Sequence, residues 1–297
     1  MQVKEGWIPT SDGTRLYYYE AGEGTPVVFC NGIGVSTASF WHRVIKPLSH
    51  DHRIIHWDYR GHGFSDPPLD ETELTIRSCA DDLKLVLDEL GLDKVVLVGH
   101  SMGVQVCLEF YKHYSEHVMG LVPSLGTYAS PFNNFLNSPH SATVFQMLFE
   151  LAKRKPDLIR TIWSIALHDS IATPFTVWSS RLTKSVGMMI HPDYCPPEEL
   201  AIYLSHMRQF NPITFFHLAN SMQQHSAEDI LGDIDVPTLI FAGEFDIFTP
   251  KRASREMHKR ITTSSLVMVN EGSHAAQAER PDVFWKHIDD FLHANFA

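Results

Sequence analysis

Residues 97–104 read Leu-Val-Gly-His-Ser-Met-Gly-Val and set one serine between two glycines. Just upstream, residues 94–98 (KVVLV) are branched and apolar enough for a strand buried on both faces. Downstream, Val104, Cys107, Leu108 and Tyr111 keep helical spacing. Ser101 therefore sits on a sharp strand-to-helix turn. The glycines two positions either side give the backbone room, and the helix start points its unpaired N–H groups at the same spot. A serine hydroxyl is a poor nucleophile at neutral pH and must be activated by a base. Whether this turn is a chemical site or an ordinary glycine turn depends on what the rest of the chain supplies.

Working outward, strand-like runs recur at 15–20 (RLYYYE), 26–31 (PVVFCN), 53–58 (RIIHWD), 237–242 (PTLIFA) and 265–269 (SLVMV). Ala80, Leu83, Leu87 and Leu90 form a helical stripe that stops at Gly91, and 283–292 reads as a closing helix. Such alternation implies a parallel sheet covered on both faces. Between about 127 and 227 the strand pattern lapses. Four helical stripes replace it: Val144/Met147/Leu148/Leu151, Ile159/Ile162/Trp163/Ala166, Leu200/Tyr203/Leu204/Met207 and Phe215/Leu218/Ala219/Met222. Pro131, Pro139, Pro156, Pro174, Pro192, Pro196 and Pro197 punctuate this segment. The expected organisation is an α/β core of residues 1–126 and 227–297, interrupted by a helical cap of residues 127–226.

In an α/β architecture of this kind the partners of an elbow serine follow it in the order acid, then base, on loops after later strands. His274 meets that requirement among the 18 histidines, because it follows SLVMV in the loop Asn270-Glu271-Gly272-Ser273-His274. Asp246, in Gly243-Glu244-Phe245-Asp246 just past PTLIFA, is placed to orient the imidazole and offset its charge. Glu244 competes for that role but lies closer to the strand end, which suits a structural part. The preceding strand exit, Pro123-Ser124-Leu125-Gly126, offers no carboxylate. For an oxyanion hole, one donor is the backbone N–H of Met102. The second is expected from the loop Asn31-Gly32-Ile33-Gly34, at Ile33, with Gly34 as the fallback.

With GHSMG at Ser101, GEFD at Asp246, GSH at His274 and DYRGHGFSD from Asp58 to Asp66, the chain resembles the α/β-hydrolase superfamily. The resemblance implies an eight-stranded, mostly parallel sheet with helices on both faces, a helical cap over the site, and no metal or organic cofactor. One departure stands out: many relatives carry His-Gly where this chain has Asn31-Gly32. The donor in that loop is backbone, so the change bears on how the loop is braced and on substrate choice. Haloalkane dehalogenases and epoxide hydrolases share the layout but place an aspartate at the elbow, whereas a serine suits attack on an acyl group. The activity implied is hydrolysis of a carboxylic ester, lactone or thioester through an acyl-enzyme. Acyl transfer, hydrolysis of a C–C bond beside a carbonyl, and a small-molecule receptor that keeps the triad are the alternatives.

Composition narrows the partners. A net charge of −11 (24 Lys and Arg against 35 Asp and Glu) repels phosphate backbones and anionic lipids, so neither nucleic acid nor membrane insertion is expected. The expected partner is a small, partly hydrophobic acyl compound. Cys30, Cys79, Cys107 and Cys195 are widely spaced, as free thiols of a reducing compartment would be. Together with an N-terminus lacking an apolar run, they point to a cytoplasmic location. Cys30 reads as a small buried hydrophobe. Arg60, His62 and Asp66 read as braces of their own loop. His50, His52 and His56 raise a metal reading, which is set aside because the sequence shows no further ligand cluster beside them.

Overall fold

The computed structural model describes residues 3–36, 41–133, 138, 140–182 and 190–296. Eight strands form one sheet: β1 (Val3–Pro9), β2 (Arg15–Ala21), β3 (Thr25–Cys30), β4 (His52–Trp57), β5 (Val95–His100), β6 (Val118–Ser124), β7 (Thr238–Gly243) and β8 (Ser264–Val269). Their spatial order is β1-β2-β4-β3-β5-β6-β7-β8. The first two pairings, β1 with β2 and β2 with β4, are antiparallel and the rest are parallel. β1 went unread in the sequence for a physical reason. It is an edge strand whose only buried residue is Ile8, so it carries no alternating apolar face.

Core helices cover both faces. α1 (His42–Leu48) and α11 (Pro281–Phe296) lie on one side; α2 (Ile76–Glu89), α3 (Met102–Tyr114) and α9 (Lys251–Arg260) lie on the other. The strands divide their side chains accordingly. Val27, Phe29, Val96, Val98 and Phe241 pack with Trp41, Phe284 and Ile288, while Val28, Cys30, Leu97 and Ile240 pack with Leu83, Val106 and Met257. Each such large apolar side chain contributes about 1.5–3 kcal/mol on full burial. That two-sided cover is why these runs are apolar at every position instead of at alternate ones.

Among the described residues, five α-helices lie between β6 and β7: α4 (Ser141–Arg154), α5 (Pro156–Ala166), α6 (Asp169–Leu182), α7 (Pro197–Gln209) and α8 (Pro212–Gln224). A short α10 (Ala276–Glu279) precedes α11. Prolines open α5, α7 and α8, where the missing N–H has no intrahelical partner to lose. Pro174 does not punctuate: it lies inside α6, a helix the stripe reading missed. An interior proline removes an i→i−4 hydrogen bond, and here Ala172 and Thr176, two positions to either side, are buried. Pro139 lies outside the described residues. The stripe chosen on α4 is also corrected. Val144, Met147 and Leu148 are 52%, 68% and 43% exposed, and the buried face is Phe145, Phe149 and Ala152. The helix carries two apolar stripes, and periodicity alone does not say which one meets the protein. α8 packs into the core itself, with Leu218 and Met222 in the cluster that holds α2 and α3. All four cysteines are free and buried. Among the described residues, no helix is long and apolar enough to cross a membrane.

Candidate active site

Ser101 joins β5 to α3 with φ 54° and ψ −115°, a left-handed conformation that a non-glycine residue adopts at a cost of roughly 1–3 kcal/mol. Its backbone N–H donates to the Ser124 carbonyl on β6 (3.1 Å), which helps hold the turn. Both flanking glycines are required by close approach. A Cβ on Gly99 would lie 2.5 Å from the Gly103 carbonyl oxygen, and one on Gly103 would drive into the carbonyl of Cys30. Gly32 is close as well, though less severely: its Cβ would come within 3.3 Å of Ser101 Cβ. The loop after β3 is thereby pressed against the serine.

Three side chains distant in sequence meet at this edge of the sheet. His274 Nε2 is 3.0 Å from Ser101 Oγ, and His274 Nδ1 is 2.9 Å from Asp246 Oδ2. The network assigns the tautomer: Nδ1–H donates to the carboxylate, leaving the Nε2 lone pair to face the hydroxyl. Asp246 is wholly buried and accepts from Phe248 N (2.8 Å), Thr249 N (2.9 Å) and Thr249 Oγ1 (2.8 Å) as well. Those donors fix the carboxylate so that it can fix the imidazole. Glu244 does not reach the histidine ring; its Oε2 accepts from the Glu271 backbone N–H (3.0 Å) instead.

The loop after β3 is braced by His62. Its Nε2 accepts from Gly34 N–H (2.9 Å) and its Nδ1–H donates to the Arg60 carbonyl (3.1 Å). Burial pulls the His62 pKa down to about 4, so the ring is neutral and able to accept. Gly34 N–H is therefore engaged, which removes the fallback donor. Ile33 N–H and Met102 N–H have no hydrogen-bond acceptor among the described residues. For Met102 this is the ordinary state of a first helical N–H. The DYRGHGFSD turn is held by Arg60 on Asp82 (2.7 and 2.8 Å) and by Arg15 on Asp66 (2.8 and 2.9 Å).

Residues 25–153 match the family model of the alpha/beta hydrolase fold, and residues 217–295 match that of TAP-like proteins. The chain belongs to the α/β-hydrolase superfamily. Mouse epoxide hydrolase 4 is 26% identical over 282 residues, covering 91% of this chain and 74% of that one. A thermophilic esterase from Thermogutta terrifontis superposes with a TM-score of 0.75 at 23% identity, over 99% of this chain and 100% of that one. The enol-lactonase from Burkholderia xenovorans LB400 does so at 0.76 and 20%, over 97% and 100%.

In this α/β-hydrolase the serine and histidine face a cavity of about 460 Å³. Its walls include Ile33, Trp163, Phe175, Leu204, Met207 and Phe215. No Asp, Glu, Lys or Arg is among the described residues that line it. α5 to α8 supply much of the wall, and the α4 stripe supplies none of it.

Two residues that the sequence reading did not single out hold the histidine loop. His100 Nε2–H donates to the His274 carbonyl (3.0 Å), and burial lowers the His100 pKa to about 3, keeping it neutral. The buried carboxylate of Glu279 accepts from Ser273 Oγ (2.5 Å), Ser273 N (3.2 Å) and, across from α6 and α7, His191 N (2.6 Å). Burial raises its pKa, and those donors act against the shift. A lone Glu in the alanine-rich run 275–279 was the available signal, because only a partnered carboxylate belongs among small apolar residues.

Proposed function

We propose that this α/β-hydrolase is a serine hydrolase of carboxylic esters, lactones or thioesters with an uncharged, partly apolar acyl group. The observation that carries the reading is the hydrogen-bonded run Ser101 Oγ–His274–Asp246 at a cavity whose described lining holds no Asp, Glu, Lys or Arg. His274 Nε2 takes the serine proton as Oγ bonds to the carbonyl carbon, and Asp246 holds the imidazolium that results. The carbonyl oxygen gains charge and is met by the N–H groups of Ile33 and Met102; one such donor is worth about 3 kcal/mol in the transition state. His274 then protonates the leaving alcohol or thiol, and water repeats the cycle to release the acid. Residues 127–226 act as the cap that gives the acyl group its apolar surroundings. A serine at the elbow favours acyl chemistry over the opening of an epoxide, despite the likeness to epoxide hydrolase 4.

The test is a panel of p-nitrophenyl esters of graded acyl length, run beside a fluorophosphonate probe. Turnover and labelling at Ser101 are expected, with Ser101→Ala lowering kcat about 10⁴-fold or more. Absence of both turnover and labelling, or an alanine variant as active as the parent, overturns the proposal.

A further inference from the structure

We propose that His52, Asp289 and His293 form a binding site for one divalent transition-metal ion of the zinc class, separate from the Ser101 site. His52 opens β4, while Ser101 follows the far end of the neighbouring parallel strands, so about a strand's length separates the two sites. Asp289 and His293 stand one turn apart on α11. The sequence hides the convergence, since 237 positions divide His52 from Asp289.

The spacing is that of a ligand set. His52 Nε2 lies 3.1 Å and His293 Nδ1 3.5 Å from the same carboxylate oxygen, Asp289 Oδ1. One candidate ligand atom from each of the three residues falls within 4.8 Å of the others. A tetrahedral ion with nitrogen and oxygen ligands at 2.0–2.2 Å keeps neighbouring ligand atoms roughly 3.4 Å apart. Small side-chain rotations would close the set around an ion. Among the described residues this is the one such group. Burial is graded across it: His52 is buried, Asp289 intermediate and His293 exposed, leaving a side where water completes the coordination. Two imidazoles with one carboxylate select zinc, cobalt or nickel over magnesium or calcium.

The same surroundings limit affinity. Ligation through His52 Nε2 moves that ring's proton to Nδ1, which is buried and has no hydrogen-bond partner among the described residues. His293 Nδ1 also lies 3.0 Å from the Asp289 carbonyl, so ligation through that nitrogen exchanges a hydrogen bond for the ion. A missing outer-shell acceptor typically weakens a site 10–100-fold. The expected dissociation constant is accordingly micromolar. A bound ion would tie the C-terminal helix to the start of β4.

Tag-free protein stripped with a chelator, then titrated calorimetrically with zinc chloride, tests this. The expected result is one zinc per chain, with a rise in Tm of roughly 3–5 °C at a hundredfold excess over Kd. Both effects should be lost in His293→Ala and in Asp289→Asn, and chelator should return the parent to its starting Tm. His293 is exposed and Asn is isosteric with Asp, so circular dichroism should show both variants folded. No stoichiometric binding by the parent overturns the site, and so does binding that persists unchanged in both variants. Neither readout depends on ester turnover.

Discussion

The sheet and the helices inserted after β6 bury their apolar residues differently. β5 and β7 are buried at every position. α4, α5 and α6 leave Met147, Leu158, Ile165, Phe175 and Trp178 between 48% and 68% exposed. The sheet is covered from two sides, whereas these helices have protein on one side. The division extends to the site. Ser101, Asp246 and His274 all follow core strands, where backbone position is over-determined, while much of the cavity wall is borrowed from the inserted helices. On the proposed function, the reacting groups would sit at the edge of the sheet and the fit to substrate would fall to the inserted helices.

The largest expected effect separating the two regions is on acid stability, and it originates in the core. His56, His62 and His100 are buried there with pKa values lowered to about 3, 4 and 3 by burial. Unfolded, each binds a proton near pH 6.5, so below that pH the unfolded state takes up protons that the fold refuses. Stability should be nearly flat from pH 8 to 7, then fall by on the order of 6 kcal/mol by pH 5. Urea unfolding across that range checks it, and a flat profile would show that these imidazoles are hydrated.

Within the insertion, Phe149→Ala removes a buried ring stacked with Phe145 and should cost about 3 kcal/mol in denaturant unfolding. Met147→Ser, two positions away on the exposed face, should change stability by less than about 0.5 kcal/mol. Equal effects would mean that the exposed stripe has a partner. Glu279 bridges the regions, and there the effect should be kinetic. Glu279→Gln places an amide donor among the donors of Ser273 and His191, which loosens the His274 loop. Turnover of the best ester should drop about tenfold with KM nearly unchanged, together with a displaced pH–rate profile. A change confined to KM would count against a positioning role for Glu279.

Much of the core was readable because its physics is local. Apolar runs of strand length, the glycines about Ser101, and the order Asp246 then His274 each follow from neighbours in the chain. The structure brings those three side chains within hydrogen-bond reach, and their catalytic roles are the proposal made above. What was not readable depends on distant partners. β1 is a strand only because β2 lies beside it, and the buried face of α4 is chosen by α8 and not by its own periodicity. Pro174 stands inside α6, although a proline locally reads as a break. That His62, and not solvent, takes the Gly34 N–H could not be seen from either loop alone. The same holds for His52, whose companions lie at the other end of the chain.

The uncharged wall around Ser101 bears on how the cycle would end. Hydrolysis converts a neutral ester into an anion, and the described lining offers no Lys or Arg to pair with a carboxylate once it has left the Ser101 donors. The acid formed would be ejected by the lining that welcomed its precursor, so accumulating product should inhibit weakly.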